Sequence, residues 1–311
     1  MSTERFRIAL IGAGRMGQTH LAALERADRV VVTAIVEPVA PTRAELAARG
    51  YRTHSDVAEL LEAGEFDGVL IAAPSDQHLG LVRTLAGAGM PMLCEKPVGV
   101  TTTHAVEAAA AVKQAGVPFQ VGYWRRFVPA LRDLRDRIAR GELGKINQIS
   151  CLQWDAEPPS PAFRAHSGGI LVDMAVHELD QTRWLTGQDL SWLAAVPTAS
   201  EVEGDPDAAA IVAQLSGGTI LTVSVGRTFP PGDCCWVEVF GTAGYERIEF
   251  VWGVPGDEVF RAALVAQAEA FAAAVRGGEA AGAGAADAVA ALSAAERARE
   301  ALDERRSPSG A

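Results

Sequence analysis

Between residues 6 and 121 the chain alternates short apolar runs with stretches of helical period, joined by short links. The runs at 6–11, 30–36, 68–73, 91–94 and 119–121 read as strands. The stretches at 15–26, 41–49, 55–63, 77–88 and 102–115 space their apolar residues as helices do, with Ser55 in an N-cap position. Strands joined through helices pair in parallel, and the helices then cover both faces of the sheet. Val69-Leu70-Ile71-Ala72-Ala73 is apolar without alternation, as a strand buried on both faces must be.

After Gly122 the pattern changes. A helix at 129–140 precedes a strand at 145–154, a Pro-rich loop at 157–161, and a helix at 170–185 that follows Gly168-Gly169. Candidate strands at 192–198, 208–215, 219–226 and 236–240 then run on without helices between them, with Gly217-Gly218 as a hairpin turn. That succession predicts an open, mostly antiparallel sheet. Two Ala-rich helices, 257–276 and 287–305, follow, and the Gly/Ala stretch 277–285 between them reads as a linker. A chain of 311 residues suits two domains of about 150 residues each. We expect an α/β fold: a doubly wound parallel domain over 1–122 and a second α/β domain over 123–311, with the C-terminal helices free to pack back on the first.

A net charge of −11 argues against a nucleic-acid partner, whose surface would be basic. No apolar run nears the roughly 18 residues of a membrane span. Met1-Ser2-Thr3-Glu4-Arg5 is mixed in charge, and the apolar run after it is too short for a secretory leader. The four cysteines form no C-x-x-C pair and read as reduced thiols of a cytoplasmic protein.

Gly12-Ala13-Gly14-Arg15-Met16-Gly17 is a G-x-G-x-x-G sequence placed after the first strand and opening the first helix. Gly12 permits a tight turn, Gly14 lets backbone approach a pyrophosphate, and Gly17 lets helix and strand pack closely. The helix N-terminus adds unpaired N–H groups and the positive end of its dipole. Glu37 closes the second strand about twenty residues on, where an acid accepts from ribose hydroxyls and repels a 2′-phosphate. These residues favour NAD over NADP, although Arg15 or Arg43 would suit a phosphate.

Three further segments are more specific. Ala72-Ala73-Pro74-Ser75-Asp76-Gln77-His78 follows one strand, and Glu95-Lys96-Pro97 follows the next. Gly168-Gly169-Ile170-Leu171-Val172-Asp173-Met174-Ala175-Val176-His177-Glu178-Leu179-Asp180 opens the later helix. With the glycine turn, Tyr123-Trp124-Arg125-Arg126-Phe127 and Gly141-Glu142-Leu143-Gly144, these resemble the glucose–fructose oxidoreductase/inositol dehydrogenase family along the whole chain, most closely in pattern its inositol dehydrogenases. The resemblance implies a nucleotide-binding domain and an open sheet that often mediates oligomers, here a homodimer or homotetramer. It implies that Lys96 lies between nicotinamide and substrate, before a cis proline, and that Asp173 and His177 complete the catalytic set. It adds Ala73, Pro74, Ser75, His78, Glu95 and Lys96 to the residues that meet the cofactor. Ser75 stands where many members carry Asn, and Trp124 is also unusual.

Chemistry gives those residues their roles. Asp173 and His177 are four apart and share a helix face. Oxidising a secondary alcohol needs a base, which His177 supplies, and a cation beside the reacting oxygen, which Lys96 supplies. Asp173 orients the imidazole and favours its protonated form. The competing reading is a solvated polar face, against which the apolar neighbours Ile170, Leu171, Val172 and Val176 argue. His78, taken alone, is a capping or packing residue. Tyr123, Arg126, Trp154, Asp155, Arg164 and His166 are candidate substrate contacts; the last four read equally well as solvated loop residues. Asp173, His177 and His166 lack the companions of a metal site, so no metal is expected.

The expected function is transfer of hydride to NAD from a secondary hydroxyl of a polyol, an inositol-like cyclitol or a sugar. Two rivals remain: a sugar-sensing regulator that binds dinucleotide without chemistry, and a glycoside-cleaving enzyme that reduces its own cofactor transiently.

Overall fold

A computed structural model of the chain describes residues 4–198, 202 and 205–306. Residues 1–3, the start of the segment weighed as a leader, lie outside the described residues. The chain forms two compact units. The first comprises the residues up to Gly99, Thr103–Trp124 and Arg261–Ala288; the second comprises Val100–Thr102, Arg125–Phe260 and the chain from Val289 on.

The first unit holds a six-stranded sheet with the order β3-β2-β1-β4-β5-β6. Its strands are β1 (Phe6–Ile11), β2 (Val30–Val36), β3 (Arg52–His54), β4 (Gly68–Ile71), β5 (Met92–Cys94) and β6 (Phe119–Val121). All five pairings are parallel. Helices α1 (Arg15–Leu24), α2 (Ala40–Ala48), α3 (Val57–Ala63), α4 (His78–Gly87) and α5 (Thr102–Ala115) make the crossovers. Every residue of β4 and β5 is buried, as strands covered on both faces require. The order reverses between β1 and β4, and ligands of such sheets bind beyond the carboxyl ends of the strands at that reversal. The core gathers Phe6, Ile8, Leu10, Leu21, Ile35 and Leu70 with Phe271 of the later helix α9 (Gly253–Val275).

Three local expectations change. Strand β3 was not foreseen, because Arg-Thr-His is too short and polar to register as one. The cap of α3 is Asp56 rather than Ser55: the Asp56 carboxylate accepts from Glu59 N–H at 3.0 Å, and the Ser55 N–H donates to the Glu59 side chain. The 277–285 stretch is no free linker. Ala283 is buried, bridges β6 antiparallel, and accepts from Val121 N–H at 2.8 Å.

The second unit holds a mixed sheet, β12-β11-β7-β10-β9-β8. Its strands are β7 (Ile146–Trp154), β8 (Leu190–Pro197), β9 (Ala208–Leu215), β10 (Ile220–Gly226), β11 (Cys234–Gly241) and β12 (Tyr245–Trp252). Only β7 and β10 pair in parallel. The Gly217-Gly218 turn joins β9 to β10, with Gly218 N–H on Leu215 O at 2.9 Å. Strand β12 escaped the sequence reading because its charges, Glu246, Arg247 and Glu249, mask the period; it is an edge strand, where charge discourages further pairing. Helices α6 (Pro129–Ala139), α7 (Pro161–His166), α8 (Val176–Thr186) and α10 (Ala285–Arg306) complete the order. The Pro-rich loop therefore runs straight into α7, capped by Ser160 with Pro161 in its first turn.

The expected α-helix over 170–185 is two pieces. Leu171–Ala175 forms a π-helical turn, and α8 begins at Val176. Such turns insert one extra residue and recur at functional sites. No helix among the described residues is long and apolar enough to cross a membrane.

Candidate active site

In the first unit the glycine turn follows β1. Gly12 has φ +91°, and a Cβ there would lie 2.8 Å from Ala72 O and Ala73 Cα, so the turn packs directly on the residues that follow β4. At Gly17 a Cβ would meet the Gly12 carbonyl oxygen at 2.1 Å, so only glycine lets α1 approach so closely. A Cβ at Gly14 would meet nothing within 4 Å. Packing gives no reason for glycine there; the close approach of a pyrophosphate does. No side chain caps α1, and its first turn carries no acid, which leaves its N–H groups and dipole to an anion. Arg15 and Met16 open that helix.

Glu37 is buried at the end of β2. Its carboxylate accepts from Ala13 N–H at 3.0 Å and from Val39 N–H at 2.9 Å. Two hydrogen bonds leave acceptor sites on both oxygens for ribose hydroxyls. Arg43 donates to the carbonyls of Glu37 and Pro38 at 2.7 and 3.0 Å. The residues present thus fit a dinucleotide.

Lys96 stands half-buried just beyond β5, followed by a cis bond to Pro97. Its N–H donates to the Glu95 carboxylate at 3.2 Å, and Glu95 pairs with His20 at 2.7 Å. His20 is fully buried on α1, so the helix that begins at the glycine turn is tied to the residue before Lys96. His78 is buried with Nδ1 2.7 Å from Pro97 O and Nε2 2.8 Å from Ala73 O. Burial lowers its pKa, opposed by those two carbonyls. The ring clamps the loop after β4 to the one after β5. Pro74 precedes the 3₁₀ turn Ser75–Gln77 that leads into α4, and Tyr123 is buried after β6.

In the second unit Asp173 lies in the π-helical turn and His177 in the first turn of α8. The Asp173 carboxylate is 3.6 Å from Arg227 Nη2, and His177 is buried. Of the candidate substrate contacts, Arg126 makes a buried two-point pair with Asp180, at 2.9 and 2.5 Å. Arg164 is buried as well, bonded to Asp205 at 2.7 Å and Asp207 at 2.8 Å. Trp154 donates to Ser224 Oγ at 3.0 Å, and Asp155 accepts from Gln153 at 3.4 Å. His166 is exposed at the end of α7. Beside His177 in sequence, Glu178 is fully buried against Arg125 at 2.6 Å; burial raises the carboxyl pKa against the pull of that cation. Among the described residues no group of three His, Cys, Asp or Glu side chains could hold a metal ion, and the four cysteines are free and buried.

Four residues to which the sequence alone assigns no role serve these positions: His20, Asp180, Asp205 and Arg227. Their partners lie 22 to 75 positions away along the chain, so no local spacing marks them.

Comparison with known proteins identifies the family. Residues 6–123 match the family described as an oxidoreductase family with an NAD-binding Rossmann fold, and residues 131–246 match the GFO/IDH/MocA C-terminal domain. The rhizopine catabolism protein MocA of Rhizobium meliloti is 49% identical over 96% of this chain and 95% of its own. A scyllo-inositol 2-dehydrogenase (NAD(+)) of Bacillus subtilis is 32% identical over 78% of this chain and 73% of its own. The crystal structure of a probable dehydrogenase from Thermotoga maritima superposes with a TM-score of 0.90 at 25% identity, covering 97% of this chain and 98% of that one. The chain is a member of the GFO/IDH/MocA family of NAD-dependent oxidoreductases.

Proposed function

We propose that this protein oxidises a secondary hydroxyl of a polyol, an inositol-like cyclitol or a sugar, with Lys96, Asp173 and His177 as its catalytic residues. The observation that carries the reading is the joint presence of the E-K-P lysine after β5 and the Asp–His pair where the π-helical turn meets α8. When bound, NAD supplies the hydride acceptor. His177 takes the hydroxyl proton, Lys96 hydrogen-bonds the reacting oxygen as charge develops on it, and Asp173 orients the imidazole. Gly12, Ala13, Gly14, Arg15, Met16, Gly17 and Glu37 hold the dinucleotide, and Ala73, Pro74, Ser75, His78 and Glu95 shape the loops beside it. Tyr123, Trp154, Asp155 and His166 are proposed substrate contacts. Arg126 and Arg164 are proposed substrate contacts as well, with guanidinium groups that already pair with carboxylates. Exposed Trp192, Val212, Ile220 and Phe240 on the strands of the second sheet support a homodimer or homotetramer.

The test is a panel of polyols and sugars incubated with NAD⁺ and followed by NADH fluorescence. It should include myo- and scyllo-inositol, and also rhizopine, since one relative is named for rhizopine catabolism. We expect NADH to accumulate with at least one cyclitol. Tight NAD binding with no net NADH from any of them would favour a regulator or a glycoside-cleaving enzyme instead.

Cofactor choice is tested at Glu37. The Glu37→Ala protein loses a carboxylate whose charged hydrogen bonds are worth about 1.5–3 kcal/mol each. We expect its Kd for NAD to rise about tenfold or more and its preference for NAD over NADP to shrink by a similar factor. An unchanged ratio of the two affinities in a binding titration would show that the acid does not face the ribose.

A further inference from the structure

Arg227 follows β10 and, among the described residues, heads the fully buried large side chains. Its Nη1 lies 2.6 Å from Asp205 Oδ2, and its Nη2 lies 3.6 Å from Asp173 Oδ2. Asp205 also accepts from Arg164 Nε at 2.7 Å and, on its other oxygen, from Ile170 N–H at 2.8 Å. Ile170 immediately precedes the π-helical turn that carries Asp173. One guanidinium therefore reaches Asp173 twice: directly by charge, and through Asp205, which pins the entry to the turn.

The direct contact is too long for a hydrogen bond, and neither Nη2 nor Nε of Arg227 has a hydrogen-bond partner in the protein. A buried cation with two idle donors is a poor choice for filling space, since an apolar side chain would fill it without desolvation. What only a cation supplies here is a fixed positive charge beside a carboxylate that is itself still partly open to solvent. Attraction at that distance holds the carboxylate in place without tying up its lone pairs.

We propose that Arg227 is a positioning residue for the oxidation, fixing the Asp173 carboxylate directly and through the Asp205–Ile170 link. The proposal rests on the reading of Asp173 as a catalytic residue. A shift of about 1 Å in such a group can cost on the order of 10²-fold in rate.

The experiment compares the full chain with Arg227→Met, Arg227→Lys, Asp173→Asn and the Asp173→Asn/Arg227→Met double variant. Each is measured for kcat and KM on the substrate the parent oxidises with NAD⁺, for NAD affinity, and for thermal midpoint. Arg227→Met should lower kcat by about 10- to 100-fold, with KM within about threefold and NAD affinity unchanged. Arg227→Lys, which keeps the charge, should recover most of that loss. In the Asp173→Asn background, Arg227→Met should cost less than about threefold more, because the two residues act as one unit. Should Arg227→Met fail to fold, Arg227→Lys alone and combined with Asp173→Asn carries the same comparison through its smaller kcat deficit. Full multiplication of the two losses, or normal kcat in a folded Arg227→Met protein, would overturn the proposal while leaving Asp173 in its role. Normal turnover by Asp173→Asn would overturn the catalytic reading itself, and the proposal with it.

Discussion

Lys96→Met should lower kcat by about 10²- to 10⁴-fold while the protein still binds NAD. The magnitude is what positioned acid–base groups and preorganised charges contribute at a developing oxyanion. Methionine keeps most of the length of the lysine stem and removes only the ammonium. The backbone at this position is held independently of the side chain. Its N–H donates to Glu95, Glu95 pairs with the buried His20, and His78 clamps Pro97. The proposed dinucleotide contacts, from Gly12 to Gly17 and at Glu37, also do without the ammonium. Steady-state rates on the substrate found in the panel, beside a fluorescence titration with NAD, separate the two effects. Unchanged turnover with unchanged affinity would remove Lys96 from the chemistry. Lost affinity with unchanged kcat would make it a cofactor ligand only.

The first unit was readable from its residues. Each apolar run from Phe6 to Val121 became a strand, since strands buried on both faces leave an unbroken hydrophobic signature. The glycine turn was equally readable: Gly12 and Gly17 are required by backbone contacts within 3 Å, and Gly14 by none. Signals weakened wherever the structure departs from local periodicity. Strand β12 hides under edge charges, and the π-helical turn at Leu171–Ala175 differs from an α-helix by one inserted residue that no hydropathy pattern records. Least legible were the long-range ion pairs. Arg126 and Arg164 stood out as exposed-type residues fit for a substrate, yet both guanidinium groups are buried against carboxylates. Asp180 lies 54 positions from Arg126, and Asp205 lies 41 from Arg164. A single sequence gives such pairs no mark.

The stability of the second unit tests how much that hidden network matters. Asp205→Ala should destabilise it by about 3–5 kcal/mol, the usual cost of removing one partner from a buried ion pair. Arg164 is 7% exposed and Arg227 is 0% exposed, so neither can turn to water when the Asp205 carboxylate is lost, although Arg164 keeps Asp207 at 2.8 Å. Both lose the same carboxylate, at 2.7 and 2.6 Å, and Ile170 N–H loses its acceptor. Asp205→Asn keeps the shape and an oxygen to accept a hydrogen bond, so it should cost distinctly less. Arg183 and Asp189 supply the control in the same unit: they also approach to 2.7 Å, but the Asp189 side chain is 73% exposed. Water solvates that carboxylate whether or not the arginine is near, so Asp189→Ala should cost less than about 1 kcal/mol. Denaturant unfolding of the three variants, followed by a probe that reports the second unit, decides the matter. If Asp205→Ala proved as mild as Asp189→Ala, water would have to reach both guanidinium groups, and the entry to the Asp173 turn would not depend on the charge that now pins it.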